Sequence, residues 1–142
     1  MTIASILESR DSQVISCTAT DSVQTAAGLL AERRIGALPV LAGDEIAGIF
    51  SERDLLYSVA REGEGALQRT VGEVMTSPPI TIELGTSVLR ALSLMTRRRI
   101  RHLPVMDGQR MVGFVSIGDL IKFRMDQIES EADQMREYIA SA

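Results

Sequence analysis

Apolar and polar positions along the chain predict one short series of elements that occurs twice. In the first half, an apolar stripe at helical spacing predicts a helix with one buried face: Val23, Ala26, Ala27 and Leu30. A short strand is expected before it at 14–17. After it, the apolar runs 37–41 and 46–50 flank turn-forming residues and predict a hairpin. Helical spacing resumes at 51–61, so the order is strand, helix, strand, strand, helix, and it returns after residue 80.

Two residues of the first series are expected to mark element boundaries. Gly36 follows the predicted helix, and we interpret it as the C-terminal stop of that helix. Pro39 has no amide hydrogen to donate, so it is expected only at the start of a strand or at the edge of a sheet. The first strand of the hairpin should therefore begin near Pro39 or lie at an edge.

The two series are copies of one another at an offset of 65 residues. Segment 35–56 returns as 100–121, with nine of twenty-two positions identical. The identical pairs are Ile35/Ile100, Leu38/Leu103, Pro39/Pro104, Val40/Val105, Gly43/Gly108, Gly48/Gly113, Ser51/Ser116, Asp54/Asp119 and Leu55/Leu120. Further upstream the copies align only if the first has three extra residues around 9–12. One repeat of this length cannot bury its own apolar face, so the copies should pack on each other.

This repeat divides the chain into three parts: a first repeat at 1–66, a second repeat at 67–123 and a C-terminal helix at 124–142. Along the last helix, apolar residues recur at alternating steps of four and three: Ile121, Met125, Ile128, Ala132, Met135 and Ile139. This spacing is a heptad seam. It is too short to stand alone as a coiled coil, so it must lie on its own module or on a partner subunit.

Composition and charge narrow the class of protein. The chain has 142 residues, a net charge of −4, 45% apolar and 24% charged residues, which is the balance of a soluble globular protein. No apolar run approaches the roughly 20 residues of a membrane span, and the opening residues resemble neither a signal nor a transit peptide. Cys17 is the single cysteine and cannot form an intrachain disulfide. We therefore predict a cytoplasmic protein.

The ordered set of motifs resembles a known family. The pattern I-x-x-L-P-V, a turn, and an apolar strand ending in S-x-x-D-L occurs twice, and it resembles the cystathionine-β-synthase (CBS) domain. The pair resembles a Bateman module over about residues 1–123. The resemblance implies an α+β fold in which two repeats pack pseudo-symmetrically, with no catalytic machinery and no required cofactor. It also implies an adenine nucleotide or related adenosyl compound as regulatory ligand, bound in clefts between the repeats.

The same resemblance implies roles for the S-x-x-D residues. Asp54 and Asp119 would accept hydrogen bonds from both ribose hydroxyls, and Ser51 and Ser116 would contact phosphate. The chemistry fits, because a carboxylate can accept from two vicinal hydroxyls and a hydroxyl can donate to a phosphate oxygen. An alternative is that each motif only caps a helix, since serine is a favourable N-cap and aspartate suits the first turn. The two roles are compatible.

Further site residues are implied by family position. Arg101 and His102 lie where basic residues contact phosphate, whereas Gly36 and Ala37 take the equivalent places in the first copy. The adenine is expected beside Cys17, Thr18, Ile35 and Ala37 in the first site and beside Pro79, Ile80, Thr81 and Ile100 in the second. His102 is the sole histidine, so a zinc or histidine-catalysed site would lack partners.

Three classes of function remain. The first is a nucleotide-sensing regulatory module that signals energy or metabolite state to an unidentified partner protein. The second is a structural homodimerisation module with vestigial ligand sites, and a homodimer is expected in either case. The third is an enzyme that contains such a pair as an insert, but the chain has no room for a catalytic barrel of about 250 residues. A nucleic-acid partner is remote, because the chain is acidic and has two Tyr, three Phe and no Trp.

Overall fold

The computed structural model describes residues 1–10 and 13–141, and it contains the elements predicted for both repeats. The expected insertion around 9–12 lies partly outside these residues. The first half consists of α1 (Ile3–Glu8), β1 (Cys17–Thr18), α2 (Val23–Arg33), β2 (Ala37–Ala42), β3 (Glu45–Ser51) and α3 (Glu52–Glu62). A 3₁₀ helix (Gly63–Gln68) joins it to the second half: α4 (Val71–Val74), β4 (Ile82–Glu83), α5 (Val88–Arg98), β5 (His102–Asp107), β6 (Arg110–Ser116) and α6 (Ile117–Ser141).

The two halves form separate three-stranded sheets of the same topology. β1 pairs parallel to β2, which pairs antiparallel to β3, and β4, β5 and β6 repeat this order. Both hairpins turn at a glycine with positive φ, Gly43 at 67° and Gly108 at 65°, a conformation that glycine adopts without steric cost. The predicted α+β fold of two equivalent repeats is confirmed.

Pro39 lies in a central strand, so the expected edge position is wrong. β2 is flanked by β1 and β3. However, β1 has only two residues, and its pairing with β2 starts at Val40, which lies opposite Cys17. Pro39 therefore stands just ahead of this short ladder, where no hydrogen bond from its nitrogen is needed. Pro104 lies in the same position relative to β4.

Gly36 does not cap α2, which corrects the second expected boundary. Arg34 is the capping residue, with a left-handed φ of 53° and its amide donating to the Leu30 carbonyl. Gly36 is instead required by close packing. A Cβ there would lie 3.0 Å from Glu52 Oε1 and 3.3 Å from His102 Cε1, closer than most side-chain contacts. The glycine therefore allows the second repeat to approach the first.

Each hydrophobic core contains the short helix that precedes the other repeat. Ile3 and Ile6 of α1 are buried with α5, β5 and β6 of the second repeat, and the Ile3 amide donates to the Thr86 carbonyl at 2.9 Å. Val71 of α4 is buried with α2, β2 and β3 of the first repeat, and its amide donates to the Asp21 carbonyl at 2.8 Å. The two repeats are therefore cross-linked by exchanged helices, as packing of the copies on each other requires.

The last helix, α6, leaves its predicted seam uncovered by its own chain. Its first turns belong to the second core, where Leu120 is fully buried. The apolar residues Ile121, Met125, Ile128, Met135 and Ile139, which we call the C-terminal seam, are between 45% and 67% exposed. Of the two predicted arrangements, packing on its own module does not occur here. None of the helices in the described ranges is long and apolar enough to cross a membrane.

Candidate functional site

Two clefts open between the repeats, each beside one S-x-x-D motif. We name them by their aspartates. The Asp54 cleft has a volume of about 210 Å³ and the Asp119 cleft about 290 Å³. Ala37 and His102, which start β2 and β5, line both clefts. The clefts are therefore neighbours that share a wall built from the two repeats.

The S-x-x-D residues cap the helices that begin at the clefts. In the first repeat the Ser51 amide donates to Asp54 Oδ2 at 2.9 Å, and the Asp54 amide donates to Ser51 Oγ at 3.3 Å. The corresponding distances for Ser116 and Asp119 are 2.8 Å and 3.1 Å. The capping role is thus present in both copies. Because both motifs also line a cleft, each carboxylate lies at a cleft wall.

In the Asp54 cleft, the carboxylate is also bound by a neutral residue. Thr76 Oγ1 donates to Asp54 Oδ1 at 2.9 Å. The backbone of Thr76 pairs with Ile49 on β3 through two hydrogen bonds of 2.9 Å. Thr76 was missed in the sequence, because it follows α4 outside the aligned motifs. The charge of Asp54 is not balanced by this partner.

In the Asp119 cleft, the partner of the carboxylate is a cation. Arg10 forms an ion pair with Asp119 through Nη2 and Oδ2, and its Nη1 donates to the Phe114 carbonyl at 3.0 Å. Burial raises the pKa of Asp119, but hydrogen bonds from Ser116 and Arg10 outweigh it, and the pKa is lowered below its usual value. Arg10 was also missed; its only signal in the sequence is its position beside the predicted insertion.

Three arginines line the Asp54 cleft: Arg53, Arg99 and Arg101. Arg99 has a left-handed φ of 54°, and its carbonyl accepts a hydrogen bond of 3.4 Å from Arg53 Nη1. A planar guanidinium group can donate two parallel hydrogen bonds to a phosphate or carboxylate. The Asp54 cleft therefore combines two carboxylates, those of Glu52 and Asp54, with three guanidinium groups suited to an anion.

His102 lies in the wall between the clefts. Its ring stacks on Phe114 with centroids 5.6 Å apart and an angle of 13° between the planes. Burial lowers the pKa of His102, and the charge of Arg101 lowers it further, while Asp119 and Glu52 act in the opposite direction. The stacked ring of His102 therefore forms part of the wall of both clefts.

Several residues expected to contact adenine in one cleft lie at the other cleft. Pro79, Ile80 and Ile100, expected beside Asp119, line the Asp54 cleft. Ile35, expected beside Asp54, lines the Asp119 cleft, and Ala37 lines both. The reason is the cross-packing of the repeats, which places the segment before β4 against β3 and the segment before β1 against β6.

Three of the expected residues line neither of these clefts in the part of the chain that the structure describes. Cys17 is buried in the first core, where burial raises the pKa of its thiol to about 11. Thr18 is exposed, and its amide donates to Asp21 Oδ2 at 2.9 Å. Thr81 is exposed just before β4. The remaining expected residues lie at one or both clefts.

Two matching repeats, exchanged helices and paired clefts with S-x-x-D motifs define a tandem CBS-domain pair. The family model for the CBS domain matches residues 5–61 and 71–126. The chain therefore belongs to the CBS-domain family, as the sequence motifs predicted.

The chain is similar over most of its length to known CBS-domain proteins. CBS domain-containing protein CBSX3, mitochondrial, of Arabidopsis thaliana is 35% identical over 97% of this chain and 71% of its own. The crystal structure of the CBS-domain containing protein ATU1752 from Agrobacterium tumefaciens is 34% identical, with a TM-score of 0.82 over 87% of this chain and 92% of that chain. Because the Arabidopsis relative is mitochondrial by name, the cytoplasmic location stays a prediction.

A second similar structure contains a ligand. It is a CBS domain protein from Pyrobaculum aerophilum complexed with AMP, and it is 26% identical to this chain. The TM-score is 0.74, and the match covers 84% of this chain and 89% of that chain.

Proposed function

We propose that this chain is a non-catalytic regulatory module that binds an adenine nucleotide or a related adenosyl compound in the clefts between its CBS repeats. The observation that carries the proposal is the Asp54 cleft, where a carboxylate and three arginines face one cavity. A carboxylate suits a ribose diol, and guanidinium groups suit phosphate. The AMP complex of the Pyrobaculum relative supports the choice of ligand class.

Within the Asp54 cleft, each part of a nucleotide has a matching group. Asp54 would accept hydrogen bonds from the ribose hydroxyls, while Ser51 and Arg101 would donate to phosphate. Pro79, Ile80 and Ile100 provide an apolar wall for the base. Asp119 and Ser116 would play the corresponding parts in the second cleft. No metal or cofactor is required in this proposal.

We further propose that the protein acts as a homodimer. The C-terminal seam presents five large apolar side chains, all at least 45% exposed on the single chain. Continued exposure costs about 1.5–3 kcal/mol for each such side chain left wholly in water. A second copy of α6 carries the same stripe, and a two-fold arrangement buries both stripes at once. Ligand binding at the clefts would then be reported to a separate partner protein through this dimer.

The test of the ligand site is a comparison of two aspartate variants. Asp54→Ala is expected to weaken AMP binding at its cleft about ten- to hundredfold, since a hydrogen bond to a charged group contributes about 1.5–3 kcal/mol. Isothermal titration calorimetry measures the affinity. Asp107→Ala, which removes an exposed carboxylate at the end of β5, is the matched control and should bind as the parent does. Unchanged AMP affinity in Asp54→Ala would remove that carboxylate from the site.

Phosphate recognition is tested by exchanging residues between the copies. Replacing Arg101 and His102 with the Gly and Ala of the first copy should weaken AMP binding and leave adenosine binding nearly unchanged. The start of β5 should keep its backbone conformation with this Gly-Ala pair, because Gly36 and Ala37 occupy the equivalent place at the start of β2. Equal losses for AMP and adenosine would mean that the pair shapes the cleft without binding phosphate.

A further inference from the structure

In each cleft, one residue links the last strand of a repeat to the aspartate of its S-x-x-D motif, and this residue is neutral in one cleft and charged in the other. Ile49 and Phe114 are counterparts in the repeat, as are Asp54 and Asp119. In the Asp54 cleft, Thr76 bonds to Ile49 through its backbone and to Asp54 through its hydroxyl. In the Asp119 cleft, one guanidinium group contacts both the Phe114 carbonyl and the Asp119 carboxylate.

That guanidinium group belongs to Arg10, and it bridges two elements. Nη1 donates to the Phe114 carbonyl on β6, and Nη2 pairs with the carboxylate at the start of α6. The side chains of Arg10 and Asp119 are 26% and 35% exposed, so the pair is partly shielded from water. Breaking it costs more than breaking a fully exposed ion pair, since screening by solvent is weaker.

The consequence for binding is a difference between the two carboxylates. Thr76 and Ser51 donate to both oxygens of Asp54, but neither carries a charge, so ribose hydroxyls would compete there only with neutral donors. Arg10 balances the negative charge of Asp119, whose Oδ2 it shares with the Ser116 amide. Arg10 also lines the Asp119 cleft itself, so its guanidinium group takes space that a ligand needs.

We propose that Arg10 is an internal competitor for the ribose-binding carboxylate of Asp119, so that the Asp54 cleft fills first and the Asp119 cleft second. This inference rests on the proposed function, because it takes a ribose diol as the group that competes with Arg10. The lowered pKa of Asp119 supports the pairing, since hydrogen bonding and charge from Arg10 both favour the ionised carboxylate. Two clefts built from one repeated motif thereby acquire different affinities.

The experiment follows each cleft separately by NMR. Adenosine is titrated into the protein while the amide signals of Arg53 and Gly118 report the Asp54 and Asp119 clefts. Adenosine is the probe because it has no phosphate that a released Arg10 could bind. In the parent the Arg53 signal should saturate first. In Arg10→Gln the adenosine concentration that half-saturates the Gly118 signal, its midpoint, should fall about three- to tenfold. The midpoint of the Arg53 signal should not change.

Arg69→Gln is the matched control, because Arg69 is also ion-paired, with Glu62 and Glu73, but lines neither cleft. Both midpoints should stay at the parent values in that variant. The pairing itself is checked by titrating the Asp119 carboxyl carbon: Arg10→Gln should raise its pKa, and an unchanged pKa would overturn the proposal.

The binding data separate this inference from the proposed function. Adenosine binding with the same Gly118 midpoint in the parent and Arg10→Gln would overturn the competitor role alone. If neither adenosine nor AMP moved either signal in any of the proteins, the proposed function would fail as well.

Discussion

Removing the exposed part of α6 is the most direct test of the proposed dimer. A chain that ends after Phe123 loses four seam residues: Met125, Ile128, Met135 and Ile139. It keeps Leu120, which is fully buried in the second core, and Phe123, which packs against that core. The truncation therefore removes the seam except for Ile121 and leaves the packing of the module in place.

The expected magnitude follows from the exposure of these side chains. Complete burial of a large apolar side chain contributes about 1.5–3 kcal/mol, and about half of each seam side chain is still exposed on the single chain. Four such residues offer about 3–6 kcal/mol for each helix, or about 6–12 kcal/mol for a pair of helices. The ordering of side chains and imperfect packing oppose part of this burial free energy. If about a third of it remains, truncation should raise the dissociation constant of the dimer about thirty- to thousandfold.

Analytical ultracentrifugation over a range of concentrations measures the dissociation constant of both chains. Ile128→Gln should weaken the full-length dimer in part, whereas Glu129→Gln, one residue away and outside the seam, should not. Thermal unfolding is compared at a concentration where both chains are monomeric, since dimerisation itself raises Tm. A truncated chain that remained as tight a dimer, or a full-length chain that was monomeric at micromolar concentration, would refute the reasoning.

Two further predictions concern the cores. Gly48→Ala should lower the free energy of unfolding in urea by about 2–3 kcal/mol, because a Cβ would lie 2.7 Å from the Thr76 carbonyl oxygen. Gly113→Ala should lower it by only about 1 kcal/mol, because the atom 2.7 Å from its Cβ is the flexible end of Leu7. Equal losses in the two variants would contradict this ranking. Cys17 should react slowly with a disulfide reagent at pH 8 until urea unfolds the protein. With a pKa of about 11, about one thiol in a thousand is ionised there, so fast labelling of folded protein would contradict burial.

Much of the fold was predictable because each element of the repeat can be recognised in two copies of the sequence. Two copies at one offset must adopt one structure, so an element visible in either copy predicts its partner. The hairpins, whose turns contain Gly43 and Gly108, formed as expected. The S-x-x-D motifs were expected at helix starts, and Ser51 and Ser116 each accept a hydrogen bond from the third residue of the following helix.

The arrangement of the repeats was not predictable in the same way. Sequence offset gives the register of one copy against the other, but it contains no information about which face of one copy meets the other. For this reason some residues expected to contact adenine were assigned to the wrong cleft, with Pro79 and Ile35 as examples. Arg10 and Thr76 were missed because they bind the clefts from segments outside the aligned motifs.

The residues that differ between the copies are required at the wall shared by the clefts. Gly36 and Ala37 are the counterparts of Arg101 and His102, and all four residues line the Asp54 cleft. A Cβ on Gly36 would lie 3.3 Å from His102 Cε1, so a side chain as large as that of its counterpart Arg101 would displace the imidazole. The small residues of the first repeat therefore make room for the imidazole of the second. A first repeat with arginine at position 36, as the second repeat has at 101, would crowd the imidazole at this wall, so part of the difference between the clefts follows from packing.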